Sequence, residues 1–309
     1  MPHDHSHAHG SGGHHHHIDP NAGDARVAGA IAVNLLLTMA QIIGGIVAGS
    51  LSLIADALHN LSDAIALIIA FGARKIARRP ADARMTFGYD RIEVVAALIN
   101  YTTLIIIGFY LVYEAVLRFF EPTEVAGWII VAVAGFALLV DLVTAALVWR
   151  MQAGSVNMRA AFLHNVADAL GSVAVIIAGT VILLFGWSWV DPLVTLLIAG
   201  YILWQSFSEM PGVVRILMLG SPPGLDTNAV IDAIEAAPGV ASVHHVHLWM
   251  MGENDPALDA HLVLEAGATP DVTRTVVRDV LAGFDIGHST LEVETSDTVC
   301  EDNARIGHG

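Results

Sequence analysis

Apolar residues run along most of the first two thirds of the chain in stretches that are too long for an ordinary soluble core. Each stretch exceeds 20 residues, and short polar or glycine-containing segments separate them. A helix rises 1.5 Å per residue, so each stretch is long enough to cross roughly 30 Å of bilayer hydrocarbon. We therefore predict six transmembrane helices, at 27–49, 50–74, 92–116, 125–149, 160–186 and 190–212.

The pattern changes after about residue 213. Apolar and polar residues then alternate with the period of half-buried strands, and two segments have the period of amphipathic helices. The predicted order is helix, strand, strand, helix, strand, at 226–237, 241–250, 257–265, 270–283 and 288–295. We predict a small α+β module of the ferredoxin-like type, with its helices on one sheet face.

Three parts of the chain follow from these patterns. We predict a histidine-rich disordered tail at 1–25, a six-helix transmembrane domain at 26–215 and a cytoplasmic α+β domain at 216–309. Composition agrees, because the 309 residues are 55% hydrophobic and only 14% charged, with a mean hydropathy of +0.62. Soluble globular proteins rarely have such a composition.

Basic residues lie mainly at one end of the predicted spans. Cytoplasmic loops of membrane proteins carry an excess of Lys and Arg. The basic residues on this side are Arg74, Lys75, Arg78, Arg79, Arg84, Arg91, Arg150, Arg159 and Arg215, whereas the opposite side has only Arg118. We therefore expect both termini in the cytoplasm. The single cysteine, Cys300, then lies in a reducing compartment and forms no internal disulfide.

The C-terminal module is strongly acidic. From Asp226 to its end it has fifteen acidic residues against three arginines, a formal net charge of −12 out of −16 for the whole chain. This charge argues against nucleic acid and anionic lipid as partners of the module and favours cations. The N-terminal stretch "MPHDHSHAHGSGGHHHH" holds eight of the 16 histidines. It is either a loosely metal-binding native tail or a purification tag in part.

Two predicted spans contain the same polar motif. "LHNLSDA" at 58–64 and "LHNVADA" at 163–169 each place a histidine four residues before an aspartate. Residues i and i+4 share one face of a helix. If spans two and five pack with these faces together, two imidazoles and two carboxylates form a four-coordinate site of the kind that Zn²⁺ prefers. The candidate ligands are His59, Asp63, His164 and Asp168.

A single intramembrane His–Asp pair would also serve as a polar clamp between helices. Two matching pairs, 105 residues apart, favour the metal site, because ionisable residues in membranes are costly and usually functional. Other polar residues give weaker signals. Asp56 is either an outer partner of the site or a buried hydrogen-bonding group, and Asn60 is expected to bond a neighbouring helix. Asp141 is ambiguous between a proton path and packing, and Asp191 is expected to be solvated at the membrane edge.

A second cluster follows from strand alternation in the module. Successive side chains point to opposite faces of a strand, so His247, His261, His288 and Glu294 fall on the polar face. A hairpin turn centred on Asn254 would make His247 and His261 direct cross-strand partners. We predict a regulatory metal site of His247 and His261, completed by Glu294 or His288. The alternative is a sheet face that is merely polar. His244 falls on the opposite parity and is a weaker candidate.

These features together resemble the cation diffusion facilitator family, in its bacterial zinc-efflux branch. The resemblance rests on six spans, HxxxD in the second and fifth, "FGYDRIE" opening the third, the His-rich N-terminus and the acidic module. It implies that the four HxxxD residues form the transport site. It also implies an inner-membrane homodimer that exchanges cytoplasmic Zn²⁺ for protons, with the module as dimerisation domain. His59 resembles zinc-selective members, with Cd²⁺ or Co²⁺ as further candidate cargo. The loop after span two lacks the histidines of a metal site that some members have there.

We therefore expect a secondary-active Zn²⁺/H⁺ antiporter that binds divalent metal ions and protons and is embedded in the lipid bilayer. Zn²⁺ is expected both as cargo and as regulatory ligand. A membrane-embedded zinc enzyme would need a motif such as H-E-x-x-H, which the sequence does not contain, so we expect no enzymatic activity. A metal sensor or storage protein without transport is the other alternative, although sensing would not require ligands at membrane depth.

Overall fold

A computed structural model describes residues 24–77, 79–149, 156–253, 255–300 and 304–307 of the protein. The histidine-rich tail lies outside the described residues. Six long helices occupy the first two thirds of the described chain, as predicted, and their ends differ from the predicted ends by a few residues. They are α1 (Asp24–Ala48), α2 (Leu51–Ala77), α3 (Arg91–Phe120), α4 (Gly127–Trp149), α5 (Val156–Phe185) and α6 (Val190–Leu217).

Length and composition mark several of these helices as membrane spans. Among the described residues, four helical segments are long and apolar enough to cross a bilayer: Arg91–Phe120, Gly127–Ala146, Asn165–Phe185 and Val190–Leu217. A shorter apolar segment, Ala32–Ala48, lies in α1. Many large apolar side chains on these helices are exposed, including Leu36, Ile106 and Leu197. Apolar surface of this extent fits a helix bundle that lipid surrounds.

The contacts within the chain define two compact units, one of residues 1–68 with 102–207 and one of residues 69–101 with 208–309. In the first unit, α2 packs on two sides. Its Leu53 belongs to a buried cluster with Ile130 of α4 and Val175 of α5. Its Ala55 belongs to another, with Leu111 of α3 and Ala199 of α6. The helix that carries the first HxxxD motif is therefore held from both sides.

Helices α4 and α5 approach closely through glycines. A Cβ atom on Gly127 would lie 2.6 Å from the carbonyl oxygen of Gly179, and one on Gly179 would lie 2.8 Å from Ile130 Cβ. Membrane helices lack a hydrophobic drive to associate, so small residues that let backbones approach contribute much of the packing. This contact fixes α5, which carries the second HxxxD motif, against α4.

The C-terminal module in the second unit has the predicted element order. It comprises α7 (Thr227–Glu235), β1 (Val240–Met250), β2 (Pro256–Leu264), α8 (Pro270–Ala282) and β3 (His288–Glu294). The sheet order is β1-β2-β3, with β1 and β2 antiparallel and β2 and β3 parallel. Both helices and the strands contribute to one buried core, which includes Ile231, Val277, Leu258 and Leu262. The predicted α+β fold class is confirmed.

The strand register differs from the prediction. His261 lies opposite His244, and His247 lies opposite Asp259, so the predicted His247–His261 pairing is wrong. The hairpin closes earlier than predicted, with the Met251 N–H donating to the carbonyl of Asp255. A bulge between His244 and His247 then shifts the register once more. His245 occupies the bulge with a φ of 55°, and this extra residue reverses the faces of residues 242–244 relative to an uninterrupted strand. A second register shift lies between Val240 and Ser242.

Gly179→Ala should destabilise the membrane unit, because the added methyl group would collide with Ile130 where α4 and α5 have no free space. Overpacking of this kind costs roughly 1–3 kcal/mol. Gly200→Ala is the matched control, since a Cβ there meets nothing within 4 Å. The measurement is the thermal unfolding midpoint of each variant in detergent, and equal midpoints for the two variants would contradict this packing.

Candidate metal sites

The first candidate site lies where α2 and α5 face each other in the membrane unit. His59 and Asp63 lie one helical turn apart on α2, and the His59 Nε2 atom is 3.9 Å from Asp63 Oδ2. Asp168 of α5 approaches the same imidazole, with Oδ1 3.4 Å from His59 Nε2. One potential ligand atom from each of the three residues lies within 4.8 Å of the others. The structure thus brings together three of the four residues predicted for the transport site.

The fourth predicted residue is His164. Its backbone belongs to α5, one turn before Asp168, but its side chain lies outside the described residues. Its role as a ligand stays a prediction.

A buried hydrogen-bond network joins α2 to α1 beside this site. Gln41 Nε2 donates to Asp56 Oδ2 at 2.7 Å, and Asn60 Nδ2 donates to Gln41 Oε1 at 3.1 Å. Asn60 thus bonds a neighbouring helix, as expected. Asp56 also approaches α5, because a Cβ atom on Gly171 would lie 3.2 Å from its Oδ1. The network fixes the orientation of α2 one turn before His59.

Two further contacts surround the same imidazole and its helix. The ring of Tyr201, on α6, meets the ring of His59 edge-on, with their centres 6.2 Å apart. Asp141 of α4 accepts a hydrogen bond from the Ser172 hydroxyl of α5 at 3.1 Å. Asp141 therefore has a role in helix packing, one of the two alternatives that the sequence left open.

Imidazole nitrogen and carboxylate oxygen suit a divalent ion of borderline softness such as Zn²⁺. The two carboxylates would balance the double charge of the ion, which matters among apolar helices where dielectric screening is weak. His59 is 9% exposed and largely shielded from solvent. The arrangement can therefore hold a divalent metal without leaving a net charge in the membrane.

The second candidate site lies in the C-terminal module. His244 Nε2 is 3.0 Å from Cys300 Sγ and 3.4 Å from Glu294 Oε2. His261 Nδ1 is 2.8 Å from Glu294 Oε1 and 3.7 Å from Cys300 Sγ. All four residues offer a ligand atom within 4.8 Å of the others. We call these four residues the cytoplasmic cluster.

Two of the four residues predicted for the module, His261 and Glu294, belong to the cytoplasmic cluster, and His247 and His288 do not. His247 lines a cavity of about 430 Å³ together with Asp259 and Trp249. His288 begins β3, where its ring lies 6.4 Å from the ring of Phe87. The bulge at His245 explains the exclusion of His247, because it brings His244 rather than His247 opposite His261. His288 lies opposite Ala257, four residues along β2 from His261.

His244 is a weaker candidate by sequence, and Cys300 is not a candidate by strand alternation. Uninterrupted alternation along β1 predicts His247 on the face of His261, yet the apolar positions Val243 and Val246 are three residues apart, which a regular strand does not allow if both are in the core. That spacing was the available signal for a bulge. Cys300 follows the last strand, so no alternation rule reaches it.

In the cytoplasmic cluster, hydrogen bonds favour the ionised form of the Glu294 carboxylate. Burial opposes the charge of Glu294, but hydrogen bonds from His261 and from the backbone N–H of Cys300 outweigh it and hold its pKa below the ordinary value. The other ring nitrogen of His261, Nε2, lies 3.3 Å from Glu292 Oε2. A carboxylate behind a ligating imidazole is a common feature of metal sites, where it fixes the orientation of the ring.

Comparison with known proteins identifies the family. Residues 27–218 match the family model described as the cation efflux transmembrane domain, and residues 222–296 match the one described as the cation efflux protein cytoplasmic domain. The chain therefore belongs to the cation efflux family, also called the cation diffusion facilitators. It is a multi-pass membrane protein that transports metal ions in efflux.

Among its relatives is a "cadmium, cobalt and zinc/H(+)-K(+) antiporter" of Bacillus subtilis, 36% identical over 82% of this chain and 84% of the relative. Another is "zinc transporter ZitB" of Pectobacterium atrosepticum, 36% identical over 87% of this chain and 85% of the relative. These names place the chain in the zinc, cadmium and cobalt branch. A solved structure, the "metal-bound C-terminal domain of the CzcD transporter from Cuprividus metallidurans", is 32% identical and covers 23% of this chain and 99% of that one, with a TM-score of 0.22.

His244→Ala should weaken metal binding at the cytoplasmic cluster by more than the roughly 10–100-fold typical of losing an outer partner of a metal site. His247→Ala is the matched control, because His247 is on the same strand and outside the cluster. Titration of the full-length protein with Co²⁺ follows binding through the thiolate-to-metal absorption that Cys300 would provide. Equal loss of this absorption in both variants would contradict the register described above.

Proposed function

We propose that this protein exports Zn²⁺ from the cytoplasm in exchange for protons, through a four-coordinate site of His59, Asp63, His164 and Asp168. The observation that carries the proposal is the convergence of His59, Asp63 and Asp168 from two helices of the membrane unit. Cd²⁺ and Co²⁺ are further candidate cargo, in keeping with the names of the relatives.

The distances between these side chains suggest how metal and protons compete. A proton on His59 would give the imidazole a positive charge beside the carboxylates of Asp63 and Asp168, at 3.9 and 3.4 Å. Zn²⁺ binds only the deprotonated ligands, so its arrival releases the proton. The same side chains thus hold a cation in either state: when the metal departs, a proton on His59 takes over part of the compensation of the carboxylate charge.

Coupling to a proton gradient requires access to the site from one side at a time. At the cytoplasmic side, few protons and available metal favour the zinc-bound state. At the outer side, a higher proton concentration favours release, since protonated ligands do not bind zinc. A histidine is suited to this exchange, because its ordinary pKa of about 6.5 lies near physiological pH.

We place the protein in the bacterial inner membrane with both termini in the cytoplasm, as the distribution of basic residues indicates. A tail at 1–25, a membrane domain at 26–215 and a module at 216–309 remain the proposed division. The family model of the module carries the designation of a dimerisation domain, which supports a homodimer. Metal binding by the histidine-rich tail would raise the local metal concentration.

The cytoplasmic cluster is proposed as a regulatory metal site. It offers two imidazoles, a carboxylate and a thiol, a set that fits a tetrahedral Zn²⁺ once Cys300 is deprotonated. Carboxylate and thiolate together would balance the charge of the ion. Bound metal would tie β1, β2 and β3 and the segment of Cys300 together, and would in this way report cytoplasmic metal to the membrane domain.

Flux in proteoliposomes separates this proposal from its alternative, a membrane-embedded sensor or storage protein. The purified full-length protein is reconstituted with a pH gradient, and internal Zn²⁺ and pH are followed with two dyes. Zinc movement accompanied by opposite proton movement supports exchange. Saturable binding with no zinc movement would favour a sensor or storage role, and zinc movement without any proton movement would contradict the exchange.

Asp63→Asn and Asp168→Asn should each abolish zinc transport while the protein still inserts and dimerises. Asparagine keeps the size of the side chain but removes a negative charge, so that the site no longer balances Zn²⁺. The measurement is initial zinc flux per folded protein in proteoliposomes, with Glu121→Gln, an exposed acid outside the site, as control. Wild-type flux in either aspartate variant would show that the site is elsewhere.

His59→Asp should lower the preference for Zn²⁺ over Cd²⁺. An imidazole offers one directed nitrogen, whereas a carboxylate binds through one or two oxygens and lets a larger ion recruit more ligand atoms. Competition flux with both ions measures the ratio directly. An unchanged ratio in a variant that still transports would mean that residue 59 does not set selectivity.

A further inference from the structure

The carboxylate of Asp191 lies at the first turn of α6 and is completely buried. Its position near the end of a span predicts a solvated side chain, and that prediction is wrong. A buried carboxylate is costly unless hydrogen bonds and opposite charge compensate it. The partners of Asp191 therefore indicate what it holds in place.

All the hydrogen bonds that Asp191 accepts through its side chain, in the part of the chain that the structure describes, come from the start of α2. The backbone N–H groups of Leu51 and Ser52 donate to it at 2.7 and 3.2 Å. The hydroxyl groups of Ser50 and Ser52 both donate to its Oδ1 at 2.6 Å. Ser50 also accepts from the N–H of Leu53 at 3.2 Å, as a residue that caps a helix does.

Helix α3 joins this contact through the guanidinium group of Arg118. Arg118, in the last turn of α3, places Nη1 3.6 Å from Asp191 Oδ2. The same nitrogen donates to the carbonyl of Gly49, just before α2. Gly49 has a φ of +68°, and a Cβ there would lie 2.8 Å from the carbonyl oxygen of Glu124. Only glycine lets the chain turn here without strain.

These bonds cap the start of α2 with a residue of another helix, Asp191 of α6. The first N–H groups of a helix have no partner within the helix, and its N-terminus carries a partial positive charge. A serine cap compensates them locally. Here Asp191 compensates two of them from α6, so that the same bonds that begin α2 also attach it to α6.

This attachment lies on the same pair of helices as the proposed transport site. His59 is eight residues beyond Leu51, about 12 Å along α2, and Tyr201 is ten residues beyond Asp191, about 15 Å along α6. The rings of His59 and Tyr201 are in contact. The bonds at Asp191 therefore set how far α2 lies along α6, and hence where His59 stands relative to its neighbours.

We infer that Asp191, compensated by Arg118, is a positioning residue for metal transport: it fixes α2 against α6 and so aims His59 and Asp63 at Asp168. Capping of α2 alone does not describe its role, because Ser50 is already present as a local cap. The inference rests on the proposed transport site, since that site gives the position of α2 its functional importance.

The test uses the full-length protein in proteoliposomes and separates capping from positioning. Asp191→Asn is expected to raise KM for Zn²⁺ about tenfold, the lower range for loss of a partner that orients metal ligands. The double variant Asp191→Asn/Ser50→Asp supplies a capping carboxylate from α2 itself. It is expected to recover the folded yield while KM stays raised, because the new carboxylate makes no bond to α6. Glu121→Gln should have wild-type KM.

A wild-type KM in Asp191→Asn would overturn the inference. Full recovery of KM in the double variant would also overturn it, because capping would then account for the whole effect. If Asp191→Asn yields no folded protein, Asp191→Glu replaces it: the charge and capping remain, but the extra methylene displaces α6 from α2, and a raised KM is again expected. Wild-type KM in Asp191→Glu would then count against the inference.

Failure of the proposed transport site gives a different result. In that case Asp63→Asn transports zinc normally, and the inference falls with the site. If Asp63→Asn is inactive and the Asp191 variants have wild-type KM, the transport site stands and only the positioning role is wrong.

Discussion

Two carboxylates and an imidazole among the apolar helices of the membrane unit need a cation beside them. In apolar surroundings, charges that are not compensated cost several kcal/mol or more. His59 lies within 4 Å of carboxylate oxygens on its own helix and on α5, so either a proton or a metal ion can provide the compensation. In the proposed mechanism, this electrostatic constraint would make the exchange of protons for metal a property of the ligands themselves. The remaining parts of the membrane unit hold those ligands at the required separation.

Helix α2 is held by three different kinds of contact. Apolar clusters pack it against α4 and α5 on one side and against α3 and α6 on the other. Gln41 bonds Asp56 and Asn60 close to the metal ligands, and Asp191 binds the helix at its first turn. Hydrogen bonds between helices are directional, whereas apolar packing tolerates sliding. The polar contacts therefore determine the rotation and depth of α2, and the apolar contacts provide most of the buried surface.

The two candidate metal sites differ in chemistry in a way that fits different roles. The proposed transport site offers nitrogen and oxygen ligands, which would release zinc when they are protonated. The cytoplasmic cluster adds the sulfur of Cys300, and a thiolate favours softer and tighter binding. Tight binding suits a site that responds to the metal level, while a transport site must also release its cargo. The cluster joins all three strands to the segment after β3, so metal there would act on the module as a whole.

Features that depend on local spacing are predictable from the sequence alone. Six long helices follow from apolar length, because a chain in lipid must satisfy its backbone hydrogen bonds within each helix, and four described segments are long and apolar enough to cross a bilayer. The two HxxxD motifs place their side chains on one helix face through the helical period alone, and the element order of the module follows from its alternation. Only the tertiary structure decided the bulge at His245, which exchanged His247 for His244, and the approach of Cys300 from beyond the last strand. It also decided that Asp191 is buried against α2, because partners 140 residues apart meet through packing that no local pattern encodes.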